Sequence, residues 1–144
     1  MAVSDPRRAA LDDIPACAQV ISTWASQTDW MRNEVLATSE LETLIREAFP
    51  EREIWVAGEP VDCYMSIDPK AQKIGALYCL RTGEGVGKQL LDQAKTGRNY
   101  LWLTTHEPNK AAQKFYRREG FVAVGTEAAT PPETIPVIKM EWRA

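Results

Sequence analysis

The stretch RTGEGVGKQLLDQAK, Arg81–Lys95, decides the fold. Gly83, Gly85 and Gly87 fall within five positions, and Val86, Leu90, Leu91 and Ala94 follow at helical spacing. Glycine weakens element interiors, so the cluster needs a reason. A bare backbone between a strand and a helix exposes N–H groups at the positive end of the helix dipole, and such groups hold phosphate oxygens. A side chain at Gly85 or Gly87 would obstruct that approach. Two phosphate-binding patterns fail here. A nucleoside-triphosphate loop needs glycine where Thr82 stands and a hydroxyl where Gln89 stands. A dinucleotide loop needs glycine where Lys88 stands.

Working outward, the segments before the loop read as strands: EIWVAG (53–58), VDCYMSI (61–67) and IGALYCL (74–80), with Gly58-Glu59-Pro60 as a turn. Ahead of them lie two helices. AALDDIPACAQVISTWAS can be capped by Asp12 or Asp13, with Ile14, Cys17, Ile21 and Trp24 on one side. SELETLIREAF carries a capping-box pattern in Ser39 and Glu42. SQTDWMRNEVL between them reads as a loop or broken helix. After the glycine loop, Gly97 ends the helix and YLWLTT (100–105) reads as a buried central strand. NKAAQKFYRREG is a helix that Asn109 caps and Gly120 ends, and FVAVGTE and IPVIKMEW close the chain as strands.

Composition sets the boundaries. The 144 residues suffice for one domain with a core, and the formal charge of −3 shows no basic stripe of the kind nucleic-acid binders carry. No apolar run is long enough to span a membrane, and MAVSDPRRAALDD has no signal-peptide core. The expectation is a cytoplasmic protein with no nucleic-acid or membrane partner. Its three cysteines, Cys17, Cys63 and Cys79, lack metal-ligand spacing and read as reduced thiols, with no metal implied.

LYCLRTGEGVGKQLL together with NKAAQKFYRREGF resembles the GNAT superfamily of acyl-CoA N-acyltransferases. The family's strand and loop are matched by Leu77-Tyr78-Cys79 and Gly83-Glu84-Gly85-Val86-Gly87-Lys88, and its N-x-x-A-x-x-F-Y-x-x-x-G-F segment by Asn109, Ala112, Phe115, Tyr116, Gly120 and Phe121. Thr82 stands where the family has Gln or Arg, with Arg81 next to it. The resemblance implies one GNAT-like α/β domain over 1–144: a central mixed, mostly antiparallel sheet of about six to seven strands flanked by about four helices. It also implies acetyl transfer from acetyl-CoA directly to a primary amine, with no metal. A non-catalytic acyl-CoA-binding or regulatory module of the same fold is the alternative.

By that resemblance Leu77, Tyr78, Cys79, Arg81, Thr82, Gly83, Glu84, Gly85, Val86, Gly87, Lys88 and Asn109 bind acetyl-CoA. Main-chain groups of Leu77 and Cys79 pair with the pantetheine arm, and Arg81 supplies the contact absent at Thr82. Tyr116 is the proton donor to the leaving thiolate. Spacing alone places Ala112, Phe115 and Tyr116 on a core face. His106, the only histidine, follows the 100–105 strand and has a pKa range suited to a base. Glu107 and Glu133 are further candidates. Trp24, Trp30 and Met31 can line an acceptor pocket, with Asp29 and Glu34 receiving a cationic amine; the same tryptophans also suit a core and the acids a solvated face. The acceptor is a small molecule or peptide amine. Open strand edges are compatible with a homodimer.

Overall fold

The computed structural model describes residues 5–31, 36–131 and 133–144. Among the described residues seven strands and four α-helices follow in this order: β1 Arg7–Arg8, α1 Ile14–Ser26, α2 Thr38–Ala48, β2 Glu53–Ala57, β3 Cys63–Asp68, β4 Lys73–Cys79, α3 Val86–Lys95, β5 Tyr100–His106, α4 Lys110–Arg118, β6 Val122–Glu127 and β7 Val137–Arg143. The strands form one sheet in the order β1-β2-β3-β4-β5-β7-β6. Only β4 and β5 are parallel, because α3 carries the chain across between them.

Helices cover both faces. On one, α1 and α2 set Ile14, Cys17, Val20 and Ile45 against Ile54, Val56 and Tyr64. On the other, Val86, Leu90, Leu91 and Ala94 of α3 and Tyr116 of α4 pack on Met65, Ile67, Leu101, Leu103 and Met140. Each buried leucine there contributes about 1.5–3 kcal/mol. β3 is buried from Cys63 to Ile67 because it feeds both cores. β5 differs from expectation. Leu101, Leu103 and Thr105 are buried while Tyr100, Trp102, Thr104 and His106 are only half-buried, so one face of β5 belongs to a core and the other is not covered by α1 or α2.

The N-terminal signals are also realised differently. Ser39 lies inside α2, whose N-cap is Ala37 with no side-chain cap, so the Ser39–Glu42 pattern forms no capping box. Asp13 stands at the N-cap of α1, but its carboxylate accepts from the Ala10 amide at 2.8 Å and pairs with Arg7 at 2.9 Å. That pair anchors β1, a two-residue strand that no sequence pattern announced. Asn109 does cap α4, its Oδ1 accepting from the Ala112 amide at 3.0 Å. Glu34 lies outside the described residues.

Candidate active site

β4 and β5 share one rung, Lys73 opposite Trp102, and then diverge. A bulge turns β4 away: Ser66 faces Ala76 and Ile67 faces Ile74, which leaves Gly75 without a partner on β3. Beyond it, the Leu80 amide donates to the Asp62 carbonyl at 2.9 Å. Backbone groups alternate in direction along a strand, so those of Leu77 and Cys79 point away from β3, into the gap. They can pair with an extended ligand as a missing strand would. The gap is a cavity of about 680 Å³.

Its lining holds nearly every residue singled out in the sequence: Leu77, Tyr78 and Cys79 on β4; Arg81, Thr82, Gly83, Gly85, Val86, Gly87 and Lys88 at the loop; His106, Asn109 and Tyr116 beyond. Glu84 is the exception among the residues assigned to the donor. It does not line the cavity, and it lies 3.6 Å from Arg81 Nη1.

Gly83 and Gly85 adopt φ of +79° and +78°, the left-handed region, and Gly85 is the N-cap of α3. A Cβ at either would meet nothing within 4 Å, so conformation rather than crowding calls for glycine. The open backbone there, at the start of α3, suits an anion. Gly87 has another reason. Its Cβ would lie 3.1 Å from Phe115 Cζ, so glycine also lets α3 and α4 approach.

Arg81 Nε donates to the Asp62 carboxylate, while Arg81 Nη2 is sealed from solvent and has no hydrogen-bond partner among the described residues. Lys88 pairs with Asp92 at 2.9 Å. Arg118 also lines the cavity, with its guanidinium 5.5 Å from the Phe115 ring centre. Sequence reading missed both Asp62 and Arg118; only the β3–β4 register and the packing of α4 place them here.

Tyr116 is 7% exposed, its ring 5.3 Å from that of Phe115 and 5.7 Å from that of Phe121. Burial, aided by Tyr78 and Cys79 nearby, holds its phenol well above the ordinary range, so it stays protonated. Its hydroxyl makes no hydrogen bond among the described residues. Gln113 fixes α4 against the end of β5 by donating to the Glu107 carbonyl at 2.8 Å.

Beside this cavity a second one of about 220 Å³ opens, lined by Ile21, Met31, Leu41 and Ile135. Tyr78, His106 and Glu133 line both. Trp24 joins the wall, 5.0 Å from Tyr78 and 5.7 Å from Trp30, whose ring is 5.3 Å from His106. Burial and then the Glu133 charge push the Tyr78 phenol up. Glu107 lines neither cavity and pairs with Lys110 at 3.0 Å. Asp29 starts a short 3-10 turn that brings in Trp30 and Met31, and it too lines neither cavity. Among the described residues no group of three or more His, Cys, Asp or Glu could hold a metal, and no helix is long and apolar enough to cross a membrane.

Residues 50–123 match the family model of the acetyltransferase (GNAT) domain. The chain belongs to the GNAT acetyltransferases. A curated relative, the peptidyl-lysine N-acetyltransferase YjaB of Escherichia coli K12, is 30% identical over 116 residues, covering 74% of this chain and 76% of the relative. The solution structure of apo-form YjaB from Escherichia coli superposes with a TM-score of 0.71 at 25% identity, covering 98% of both chains. The GNAT fold is further matched by yncA, a putative acetyltransferase from Salmonella typhimurium solved with its cofactor acetyl-CoA. There the TM-score is 0.72 at 16% identity, with 99% of this chain and 94% of that one covered. The mixed sheet with helices on both faces is therefore the GNAT architecture, and the split between β4 and β5 sits at its centre.

Proposed function

We propose that this GNAT protein moves the acetyl group of acetyl-CoA directly to a primary amine, and that the amine is a peptidyl lysine. The observation that carries the reading is the unpaired edge of β4, which faces a cavity that ends at the glycine loop on one side and holds the Tyr116 hydroxyl on the other. The residues fit the donor substrate. Leu77 and Cys79 offer main-chain groups to its pantetheine arm. The loop amides and Arg81, with Nη2 still unpartnered, suit its pyrophosphate. Tyr116 stays protonated at neutral pH and gives its proton to the departing thiolate.

The second cavity supports the acceptor. Its apolar walls suit the four-carbon stem of lysine, and Glu133 and His106 stand where it meets the first. Glu133 draws in the ammonium, and His106 takes its proton so that the amine can attack. YjaB's description as a peptidyl-lysine N-acetyltransferase points the same way.

The test is incubation with acetyl-CoA and a panel of lysine peptides, peptides with only a free N-terminus, and small polyamines. Mass spectrometry should show acetyl on the lysine ε-nitrogen. Acetyl confined to N-termini or polyamines would remove the lysine assignment. Donor binding without turnover on any amine would make the protein a binding module.

A further inference from the structure

Cys63 on β3 and Cys79 on β4 stand directly opposite each other. The Leu80–Asp62 bond makes the neighbouring pair the hydrogen-bonded one. Cys63 and Cys79 are thus a non-hydrogen-bonded pair, whose Cα atoms lie about 4.5 Å apart with side chains at closest approach. Disulfides span Cα separations of about 4.4–6.8 Å. Both side chains face the α3 side of the sheet, and both are free thiols. Cys63 is fully buried, whereas Cys79 is half-buried on the cavity wall. A hydrogen bond between the two thiols pulls that of Cys63 down and, with burial, holds that of Cys79 up. Cys17 lies in the opposite core, and burial pushes its thiol up to about 12.

We propose that Cys63 and Cys79 form a reversible oxidation site, which closes to a disulfide when a peroxide enters the donor-free cleft. Cys79 is the sulfur a peroxide meets, because it lines the cavity and Cys63 is sealed. The Cys79 sulfur attacks one peroxide oxygen while its proton passes to the departing oxygen, so the S–O bond forms, the O–O bond breaks and water leaves. The sulfur of Cys63 then attacks the sulfenic acid on Cys79. The S–S bond forms, the S–O bond breaks, and the second hydroxide leaves as water with the Cys63 proton. Two electrons pass from two thiols to one peroxide. A donor lying along Leu77 and Cys79 blocks the route, so oxidation selects the donor-free enzyme, a protection that rests on the acetyl-CoA function proposed above.

The test treats the full chain with hydrogen peroxide, with and without desulfo-coenzyme A, a thiol-free probe, followed by alkylation and peptide mapping. Trypsin leaves the cysteines in separate peptides ending at Lys70 and Arg81. The expected product is those two peptides joined and lacking two hydrogens, reversed by dithiothreitol. It should form several-fold more slowly with the probe bound, persist in Cys17→Ala, and be absent from Cys63→Ala. Sulfinic acid on Cys79 without the cross-link overturns the proposal. So does an equal cross-linking rate when calorimetry shows the probe bound. Cross-linking of the free protein is read without any donor, so it holds or fails independently of the acetyl-CoA reading.

Discussion

Tyr116→Phe isolates one hydroxyl in this protein. The ring keeps its contacts with Phe115 and Phe121, and the hydroxyl makes no hydrogen bond among the described residues. Deleting it therefore strands no buried partner, and stability should change by no more than about 1 kcal/mol. For a chain of this size that is a Tm shift of at most about 4 °C. Calorimetric affinity for acetyl-CoA should be unchanged, since neither β4 nor the glycine loop is touched. The loss falls on the transition state. A general acid contributes about 10²–10⁴-fold, or about 3–5 kcal/mol of barrier. Turnover should drop by that factor while the Michaelis constant for acetyl-CoA stays close to wild type. The assay follows free thiol released from acetyl-CoA with a saturating lysine peptide, alongside a Tm measurement. A folded variant that binds acetyl-CoA and turns over at the wild-type rate, with chemistry limiting, would refute the proton-donor role and return Tyr116 to the core.

Three further outcomes are expected. Gly85→Val forces a β-branched residue to φ +78°, strain of about 1–3 kcal/mol, so affinity for acetyl-CoA should fall at least about tenfold in calorimetry; wild-type affinity in a folded variant would separate the loop from phosphate binding. Asn109→Ala removes the α4 cap and should cost about 1 kcal/mol, seen as a Tm lower by about 3–5 °C; an unchanged Tm would mean that water replaces the Ala112 bond. Tyr64, Tyr78 and Tyr116 all have phenols raised by burial, so the folded state holds their protons to higher pH than the unfolded state does. The stability this contributes is complete below about pH 10, the unfolded value, and is lost as pH rises above it. Their tyrosinate absorbance should appear together with the loss of circular dichroism, and ionisation of all three in a protein with native dichroism would contradict their burial.

The parts of this fold written in contiguous residues were readable. The glycine loop with its apolar stripe, and the Asn109-to-Phe121 segment, are each complete within about fifteen residues, so local spacing placed α3, α4 and their caps. What depends on register was hidden. Nothing around Gly75 marks it as the bulge that aims Leu77 and Cys79 into the cleft, because a bulge exists only relative to the partner strand. Asp62 as the partner of Arg81 and Phe115 as the reason for Gly87 are likewise distant in sequence. Ser39 and Glu42 show the opposite failure: a valid local pattern, overruled when α2 began two residues earlier. The two residues of β1 are too few to carry any pattern.

The single rung between β4 and β5 makes the sheet two plates meeting at a seam. One plate is β1 to β4 under α1 and α2; the other is β5, β7 and β6. On one face α3 and its core bridge them; among the described residues β4 and β5 pair nowhere else. Such a seam is where local opening is cheapest, and amides beside it exchange ahead of those in the plates. An extended molecule laid into the gap supplies the absent rungs, so its binding free energy is added to the cohesion of the protein by mass action. Heat resistance then becomes a property of ligand supply: the same chain is a looser, two-part object when its donor is scarce and a stiffer, one-part object when the donor is plentiful.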